Sequence, residues 1–583
     1  MTIRKIGLAA ALTVASFAGF SSNAVAFNID EGIEGFWYEE NNARRGWGFQ
    51  YLPTNPEEGV LFVAGYVYDD EGNATWLTGQ ATVFDGEFEV DMPLEALSGG
   101  SFGPDEGSPT AESWGDLNVE FHTCNDATFT FSGGADFAVD LVHFKTIVGG
   151  NNADACVYQT EFTACPAGTT EIADRTCQLQ GTYTNDLMLT NDALYVISGG
   201  VFIGDKAEQG DPVPTDGPTL TIEAGTRIIG SGGSNNALYI QRGSKIIAEG
   251  LPHAPIVMTG ANYASEGATS GQWGGLVLNG AAPLNTCTPT PEAPCEAVGE
   301  GDSGAYGGSD PLDSSGSLRY LRVQFAGERI NDEDELNGIA FQGVGSGTTV
   351  EYIQVHRNAD DGVEFYGGTV NAKYLVLTDI EDDSVDWTQG WQGNLQYVLV
   401  NQIGDLTVGA DRGMELDNLE QDNNALPRSG GTMMNFTLLG RSDTLGINPR
   451  RGTQGHFCNF LVVNFDKCLD IDSTATFDQM TAGNLTMSNT LLSCNTDIVE
   501  NDEDTADPFS LVTWFDGQDG NVRGMDPMLS GPFLPAGSTY LSGQHCDMET
   551  IYSDAFFDDT DYIGAFRSAD GAWHWGWTEF LPF

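Results

Sequence analysis

The sequence predicts an all-β protein in which a small antiparallel β-domain precedes a parallel β-helix, a solenoid of stacked coils. Strand-like segments return at a nearly fixed interval: Tyr352, Tyr374 and Tyr397 occupy equivalent positions 22 and then 23 residues apart, and Asn435 precedes Asn459 by 24. A period of this size, carried by strands, is typical of one solenoid coil. The 74 glycines, with only 18% charged residues, favour turn-rich β-structure over disorder.

Residues 1–26 have the features of a removable secretory signal. Arg4 and Lys5 supply positive charge, residues 6–20 are apolar, and Ala24 and Ala26 are the small residues of a cleavage site. No later window holds the roughly 18 uninterrupted apolar residues that a membrane helix requires, so we expect no membrane span. The expected location is the medium or the cell surface of a bacterium, with the periplasm as the alternative.

The mature chain is strongly acidic. Removal of Arg4 and Lys5 leaves 21 basic against 84 acidic residues, a net charge of −63. Such a surface repels nucleic acid and anionic lipid, which argues against a nucleic-acid-binding function. It suits bound divalent cations, because neighbouring carboxylates on a β-surface repel one another unless a cation lies between them.

Residues 27–160 form the first unit, a small aromatic-rich β-domain. Strand-like runs at 62–68 and 75–77 flank an acidic turn at 69–73, which is the pattern of a β-hairpin. The many aromatic residues are expected to form its core, and exposed rings that stack on sugars are the alternative. A Cys-bracketed connector (161–189), the β-helix (190–545) and a C-terminal cap (546–583) are expected to follow.

Ten cysteines in an exported chain favour disulfides. Pairing of sequence neighbours gives one connectivity among many possible: Cys124–Cys156, Cys165–Cys177, Cys287–Cys295, Cys458–Cys468 and Cys494–Cys546. The chain has no C-x-x-C pair and its seven histidines are scattered, which disfavours a zinc site or a c-type haem.

Residues 190–545 carry a family resemblance. The segments T-L-T-I-E-A-G-T-R-I-I-G, A-L-Y-I-Q-R-G-S-K-I-I-A-E-G and G-Q-W-G-G-L-V-L-N-G resemble those of secreted right-handed parallel β-helix proteins of the pectate-lyase-like superfamily. The ending D-Y-I-G-A-F and W-H-W-G-W-T resembles the C-terminal region of large bacterial surface proteins with this architecture. The resemblance implies fold and export, but no particular activity, because the superfamily includes lyases, hydrolases, adhesins and scaffolds.

Aligned coils predict a column of carboxylates on one sheet. The segments that begin at Asp361, Asp383, Arg412, Arg451 and Lys467 superpose, and strand alternation then directs one polar residue of each coil outward. These outward residues are Glu364, Asp386, Glu415, Gln454 and Asp470. Because coils stack about 4.8 Å apart, like charges in such a column are costly unless they are protonated or share a cation.

The preceding turns add more carboxylates, and together they form what we call the carboxylate ladder. Its eight candidate metal ligands are Asp360, Asp361, Glu364, Asp382, Asp383, Asp386, Asp411 and Glu415. Hard oxygen ligands outside the cell favour Ca²⁺ as the cofactor. The alternative is a solvated acidic face with no specific ion.

Three arginines beside the ladder, Arg412, Arg450 and Arg451, predict a catalytic role. In a polysaccharide lyase of the superfamily that the chain resembles, a metal would neutralise a uronate carboxylate and a basic side chain would remove the C5 proton. Arg412 and Arg451 are the candidates for that base. The favoured alternative is that the arginines only pair with the carboxylates above and below them.

Three functions remain open at this stage. The first is a surface or extracellular binding protein whose inserted loops at 261–316 and ladder face meet a glycan, matrix or cell-surface partner. The second is a calcium-dependent polysaccharide lyase that acts on a uronate polymer. The third is a structural subunit of an extracellular layer or filament. The cluster Trp573, His574, Trp575 and Trp577 is expected to cover the open end of the solenoid, with an aromatic platform for a glycan as the alternative.

Overall fold

The structure is a computed structural model, and its described residues cover both expected units. They are 29, 33–38, 46–55, 58–68, 74–84, 89–98, 110–123, 126–132, 137–143, 164–173, 175–232, 236–252, 254–262, 269–288, 294–331, 334–403, 409–500, 507–544, 546, 556–569 and 572–579. The signal segment and the predicted Cys124–Cys156 disulfide lie outside this set. No helix in the described ranges is long and apolar enough to cross a membrane.

The first unit is an antiparallel sheet of eight strands joined in sequence order. The strands are β1 (Gly35–Tyr38), β2 (Gly46–Asn55), β3 (Glu58–Tyr68), β4 (Ala74–Phe84), β5 (Glu89–Ser98), β6 (Thr110–Thr123), β7 (Asp126–Ser132) and β8 (Phe137–His143). The first strand pairs with both the second and the last, so the sheet closes on itself. The predicted hairpin is the β3–β4 pair.

Alternate residues of these strands point into the closed sheet, where aromatic rings form the core. Trp37, Trp47, Phe49, Phe121 and Phe129 are buried together. Trp37 meets Phe121 edge to face with ring centroids 5.4 Å apart, a favoured aromatic geometry. These rings therefore form the core, as expected, whereas another group of rings lies on the outer surface.

The second unit is a parallel β-helix, and its first coils contain thirteen strands. These are β9 (Thr170–Ala173), β10 (Thr176–Tyr183), β11 (Leu187–Leu189), β12 (Leu194–Ile203), β13 (Thr219–Ile222), β14 (Arg227–Gly230), β15 (Leu238–Ile240), β16 (Lys245–Glu249), β17 (Ile256–Gly260), β18 (Leu276–Asn279), β19 (Ala297–Val298), β20 (Ala305–Tyr306) and β21 (Gly316–Gln324). The short β19–β20 pair belongs to the inserted loops and is antiparallel. Strands one coil apart pair in parallel, as in β10–β12 and β13–β16.

The later coils contain the remaining strands. These are β22 (Arg329–Asn331), β23 (Asp334–Glu335), β24 (Ile339–Gln342), β25 (Thr349–His356), β26 (Val363–Tyr366), β27 (Ala372–Thr378), β28 (Val385–Thr388), β29 (Asn394–Asn401), β30 (Arg412–Leu416), β31 (Thr432–Leu439), β32 (Leu445–Pro449), β33 (Gly455–Val463), β34 (Lys467–Leu469), β35 (Leu485–Ser488), β36 (Leu491–Ser493), β37 (Thr496–Ile498) and β38 (Val522–Arg523). One sheet continues through β24, β26, β28, β30, β32 and β34, and another through β25, β27, β29, β31 and β33.

The repeat that the sequence suggested corresponds to a bend repeated in successive coils. Strands β25, β27 and β29 contain Tyr352, Tyr374 and Tyr397 with φ of 57°, 62° and 61°. Strands β31 and β33 contain Asn435 and Asn459 with φ of 62° and 60°. Asparagine enters this left-handed region more readily than most residues, whereas tyrosine requires compensation from its surroundings. Ring stacking supplies that compensation, since adjacent tyrosine centroids are 4.3 and 4.8 Å apart.

The core of the solenoid is a continuous column of apolar side chains that extends along the coils. Equivalent positions of successive coils stack on one another, because the coils repeat in register. Phe341 and Phe365 are one such pair, with ring centroids 5.1 Å apart, and Trp391, which follows β28, stacks on Phe365 at 4.7 Å. Burial of these large rings contributes roughly 25 cal/mol for each Å² of apolar surface that is removed from water.

Two short helices interrupt the last coils, and the strand-like sequence pattern did not predict them. Helix α1 (Thr474–Ala482) ends at Gly483, whose φ of 75° is easily adopted by glycine. Helix α2 (Leu511–Asp516) begins at Ser510, whose side chain accepts a hydrogen bond from the Thr513 amide. Leu511 and Phe515 of α2 join the interior core.

Four disulfides link described cysteines, and two of them correct the prediction. Cys165–Cys177 and Cys287–Cys295 form as the sequence spacing predicted. The predicted Cys458–Cys468 and Cys494–Cys546 pairs are wrong, because the structure contains Cys468–Cys494 and Cys458–Cys546 instead. Pairing follows the stacking of coils: one bridge joins neighbouring coils, and the other attaches the C-terminal segment to the outside of β33.

The C-terminal segment extends along one flank of the β-helix, which differs from the expected cap over its open end. Ile563, Phe566 and Trp577 pack against outward-facing residues such as Leu399 and Leu461. The segment also contacts what we call the tyrosine–asparagine row. The row consists of Tyr320, Tyr352, Tyr374, Tyr397, Asn435 and Asn459. These long-range contacts were not apparent in the sequence.

Candidate functional site

The carboxylate ladder lies on the outer face of the sheet formed by β26, β28 and β30. Pairing of these strands places Glu364 beside Asp386, and Asp386 beside Glu415. Val363 and Phe365 belong to the interior core, so strand alternation directs Glu364 away from the interior. The register of these three coils is the one that the sequence predicted.

The next coil corrects the prediction. Strand β32 places Asn448 opposite Glu415 and Leu445 opposite Arg412. The expectation that Arg451 and Gln454 continue the register is therefore wrong, since both follow the end of β32. The sequence alignment relied on charged residues next to glycine, whereas this coil has leucine and asparagine at those positions.

Loops and turns bring the remaining acidic side chains to the same face. Asp361 and Asp383 precede β26 and β28, and the Asp383 amide donates to Asp361 Oδ1 at 3.0 Å. Asp411 precedes β30 in the same way, and its amide donates to the Asp382 carbonyl at 3.2 Å. Stacking of equivalent turns thus adds a second column of carboxylates to the one on the strands.

All eight predicted ligands fall into overlapping groups of three. In each group, one ligand atom from each residue lies within 4.8 Å of the others. The groups are Asp360–Asp361–Asp382, Asp361–Glu364–Asp386, Asp382–Asp383–Asp411 and Asp383–Asp386–Glu415. Such clusters of carboxylate oxygens match the ligand preference of Ca²⁺. The bound metal itself stays a prediction.

The ladder is buried at one end and open at the other. Asp361 and Glu364 are buried, and Glu300 from the inserted loops and Glu335 from β23 add negative charge near Asp360. At the other end, the Asp411 side chain is 55% exposed. A ligand in solvent therefore reaches the ladder most directly at Asp411.

Burial and mutual repulsion favour protonation of the ladder. Burial, with the charges of Glu300 and Asp382, raises the pKa of Asp360 from 3.8 to about 8. Burial, with the charge of Asp360, raises the pKa of Asp361 well above its ordinary value. Burial and the charge of Glu300 do the same for the pKa of Glu364. Without another cation, these carboxyls thus bind protons tightly in the folded state.

Three ladder oxygens are buried and accept no hydrogen bond from the described residues, and one of them, Glu415 Oε1, is ion-paired with Arg450. The other two are Asp383 Oδ1 and Asp386 Oδ1. Burial raises the pKa of both carboxyls well above the ordinary value. Among the described residues, no basic side chain lies within salt-bridge distance of Asp361, Glu364 or Asp386. Buried carboxylate oxygens normally have a hydrogen-bond or ionic partner, and the described protein groups supply none to these two oxygens.

Arg412 partly neutralises the open end of the ladder. Its Nη1 lies 3.6 Å from Asp383 Oδ2 and 3.3 Å from Glu415 Oε2, and it also pairs with Asp411. Burial opposes the charged form of Arg412, but the charges of Asp383 and Asp411 outweigh it and raise its pKa. A raised pKa makes Arg412 a poor general base, because the neutral form becomes rarer.

Arg451 lies one step farther from the ladder. Its Nη1 is 2.7 Å from Asp417 Oδ2, and its Nη2 is 3.1 Å from Glu420 Oε1. Both predicted catalytic arginines therefore form ion pairs, which is the arrangement that the alternative interpretation predicts. Neither Asp417 nor Glu420 was singled out in the sequence, because both follow strand β30 and lie outside the aligned motif.

Arg450 is a further functional candidate beside the two arginines that were predicted as the base. It pairs with Glu415, and its Nε lies 2.9 Å from Asp417 Oδ1. Burial, together with the charges of Arg451 and Arg412, lowers the pKa of Arg450. The pKa of Arg450 thus moves in the direction that proton abstraction requires, whereas that of Arg412 moves in the opposite direction. The tandem of Arg450 and Arg451 after a strand was the available signal.

The fold and the sequence agree on the family. The family described as "pectate-lyase like beta helix domain" matches residues 181–525, more than half of the chain. The protein therefore belongs to the pectate-lyase-like β-helix family. Membership fits a carbohydrate-related extracellular role in general, and the four described disulfides are consistent with export. No curated protein and no solved structure matches the chain significantly.

Proposed function

We propose that the protein is a secreted or surface-exposed binding protein that holds Ca²⁺ on the carboxylate ladder and binds a uronate-bearing glycan through that ion. The observation that carries the proposal is the pair of buried oxygens, Asp383 Oδ1 and Asp386 Oδ1, without hydrogen-bond donors inside groups of three carboxylates. A divalent cation would supply the missing partner and offset the repulsion.

Charge supports an ion-mediated mode of glycan binding. A chain with 84 acidic residues repels a polyanion, so direct contact with a uronate carboxylate is unfavourable. A cation at the open end, near Asp382, Asp383 and Asp411, would offer coordination positions to both partners. Arg412 is close enough to the same carboxylates to orient them by ion pairing.

The test measures thermal unfolding and glycan retention with the full-length mature protein. We expect Ca²⁺ to raise Tm relative to chelator, because a ligand that binds only the folded state stabilises it by about 2.7 kcal/mol at one hundred times Kd. Retardation in gels that contain alginate or polygalacturonate should require Ca²⁺. Asp386→Asn should reduce both effects.

Asp443→Asn is the matched control, since Asp443 is an exposed carboxylate paired with Arg441 outside the ladder. It should leave the Ca²⁺ effect unchanged. The calcium part of the proposal is contradicted if Ca²⁺ does not raise Tm and isothermal titration calorimetry detects no heat of Ca²⁺ binding. The glycan part is contradicted if Ca²⁺ binds but neither polymer is retained. Calcium-induced assembly without retention would instead support a structural subunit.

A lyase is the second candidate, and the lowered pKa of Arg450 is the observation that favours it. In that reaction, a cation on the ladder would stabilise the charge that develops on the uronate, and neutral Arg450 would accept the C5 proton. The C4–O bond would then break to leave a C4–C5 double bond, and the leaving oxygen would take a proton from water. Unsaturated products absorb ultraviolet light, so the same incubations distinguish the two candidates. Product formation that Arg450→Gln abolishes would replace the binding proposal by the lyase.

A further inference from the structure

The outer surface of the N-terminal sheet carries a cluster of exposed rings that the carboxylate ladder does not explain. Phe36, Tyr66 and Trp76 are 54%, 40% and 50% exposed. Their ring centroids lie 6.1 Å apart for Phe36 and Tyr66 and 4.5 Å apart for Tyr66 and Trp76. We call these three residues the aromatic platform.

Strand pairing holds the three rings side by side, with adjacent ring planes tilted by 44° and 57°. Tyr66 and Trp76 are direct cross-strand partners on β3 and β4, and Phe36 lies opposite Gly48 on β2. A Cβ at Gly48 would lie 3.4 Å from Phe36 Cε1, so a larger residue would crowd the Phe36 ring. Gly46 lies between Tyr38 and Tyr66 in the same register. Small residues on β2 thus leave a shallow surface beneath and between the rings.

The platform is too small for a stable protein interface. Three aromatic side chains bury about 150–250 Å² each when fully covered, so rings that are about half exposed offer roughly 300 Å². A stable protein complex requires about 800 Å² from each partner. A surface of this size suits a few sugar rings, whose C–H groups pack against individual aromatic faces.

The surrounding polar groups define the class of sugar. Gln50 and Gln80 are exposed on either side of Phe62, one strand away in each direction, and their amides can donate and accept hydrogen bonds. Glu95 lies opposite Thr78, beside Trp76 on the same face. The eight described strands contain no Lys or Arg. These strands therefore offer no cation that would attract an acidic polymer to the three rings.

We propose that the aromatic platform binds a neutral glycan by ring stacking, separately from the carboxylate ladder. The rings provide the contact area, and the glutamine amides select sugar hydroxyls. This binding needs no Ca²⁺, because no cluster of carboxylates takes part. The protein would thereby contact two chemically different polymers, an acidic one on the β-helix and a neutral one on the N-terminal sheet.

Affinity electrophoresis of the full-length mature protein tests the proposal, with hydroxyethylcellulose, mixed-linkage β-glucan and glucomannan as neutral probes. We expect retardation by at least one probe, equal in Ca²⁺ and in chelator. Trp76→Ala and Tyr66→Ala should each raise the apparent Kd at least about fivefold. Both side chains are substantially exposed, so the variants should retain the wild-type Tm.

Phe84→Ala is the matched control, because Phe84 is a 51% exposed ring on the same strand as Trp76, eight residues away. It should bind as the wild type does. The proposal is overturned if none of the neutral probes retards the protein or if Trp76→Ala binds them unchanged. It is also overturned if retardation disappears in chelator, which would assign it to the ladder. Conversion of a wild-type dimer to a monomer by Trp76→Ala would identify a second copy as the occupant.

Discussion

Two rows of equivalent residues extend along this β-helix, and they differ in whether neighbouring groups satisfy their polar atoms. The tyrosine–asparagine row is covered by the C-terminal segment: Asn435 Nδ2 donates to the carbonyls of Tyr562 and Gly564, and Trp577 meets Tyr320 and Tyr352 edge to face. The carboxylate ladder contains buried oxygens without donors. Stacking of rings and amides stabilises a solenoid, whereas stacking of carboxylates destabilises it.

The contrast is the reason that the ladder, and not the other row, is the candidate functional site. A row that only supports the fold becomes more stabilising as it lengthens, because each coil adds the same favourable contact. In a row of acids, each further coil adds electrostatic repulsion. The raised pKa values of Asp360, Asp361 and Glu364 reflect that repulsion together with burial. Functional sites often retain such unfavourable charge, because the ligand offsets it.

The largest expected loss of stability follows removal of a side chain that covers the tyrosine–asparagine row. Trp577 is fully buried against Tyr320 and Tyr352, and its indole N–H donates to the Trp573 carbonyl at 2.7 Å. Trp577→Ala should lower the free energy of unfolding by about 3–5 kcal/mol. Chemical denaturation followed by tryptophan fluorescence measures it. Trp76→Ala removes an exposed indole and should cost about 0.5 kcal/mol or less. Equal losses in the two variants would contradict the covering role.

A smaller effect of opposite sign should follow a change in the ladder. Glu364 is buried near Glu300, and Glu364→Gln keeps the volume and the hydrogen bond from Asn337 Nδ2, which is 2.8 Å long. In chelator at pH 8, the variant should be more stable than the wild type by about 1 kcal/mol, because a glutamine needs neither a buried charge nor the uptake of a proton on folding. In Ca²⁺, the gain should disappear or reverse.

The matched change in the other row is Asn435→Ala. It removes an amide that donates to two carbonyls, so it should destabilise the protein by about 1–3 kcal/mol, with or without Ca²⁺. Thermal unfolding of both variants in the two buffers compares the rows directly. If Glu364→Gln also destabilises the chelated protein, the ladder is not under electrostatic strain.

The most gradual effect is a pH dependence of the metal-free protein. The folded-state pKa of Asp360 lies at about 8, above its ordinary value of 3.8, so the folded state binds the proton more tightly. The resulting stabilisation is fully present below pH about 4 and is lost as pH rises through about 8. In chelator, Tm should therefore fall across this window. In saturating Ca²⁺, the fall should be smaller, because Ca²⁺ binds the deprotonated carboxylates. A Tm that rises across this window in chelator would refute the raised pKa values.

Sequence periodicity was sufficient to predict the coils and much of the site. The equivalence of Tyr352, Tyr374 and Tyr397 followed from spacing, and so did the row of Glu364, Asp386 and Glu415. Such patterns are readable because each coil contacts only its neighbours, so order along the chain becomes order in space. The connection between β30 and β32 is longer than those between β26 and β28 and between β28 and β30. The same reasoning therefore aligned Arg451 and Gln454 with strand positions that Leu445 and Asn448 occupy.

The sequence by itself determined the all-β class, the solenoid period and the set of acidic side chains that share one face. All of these depend on contacts between adjacent coils, which strand alternation and a fixed period specify locally. Only the tertiary structure decided which cysteines pair, which flank the C-terminal segment covers and how deeply Asp361 and Glu364 are buried. Those features depend on contacts between different coils and segments, which lie 26 positions apart for Cys468–Cys494, 88 for Cys458–Cys546 and 127 for Asn435 with Tyr562, or on loops that fold over the sheet. Strand alternation and the coil period do not specify such contacts.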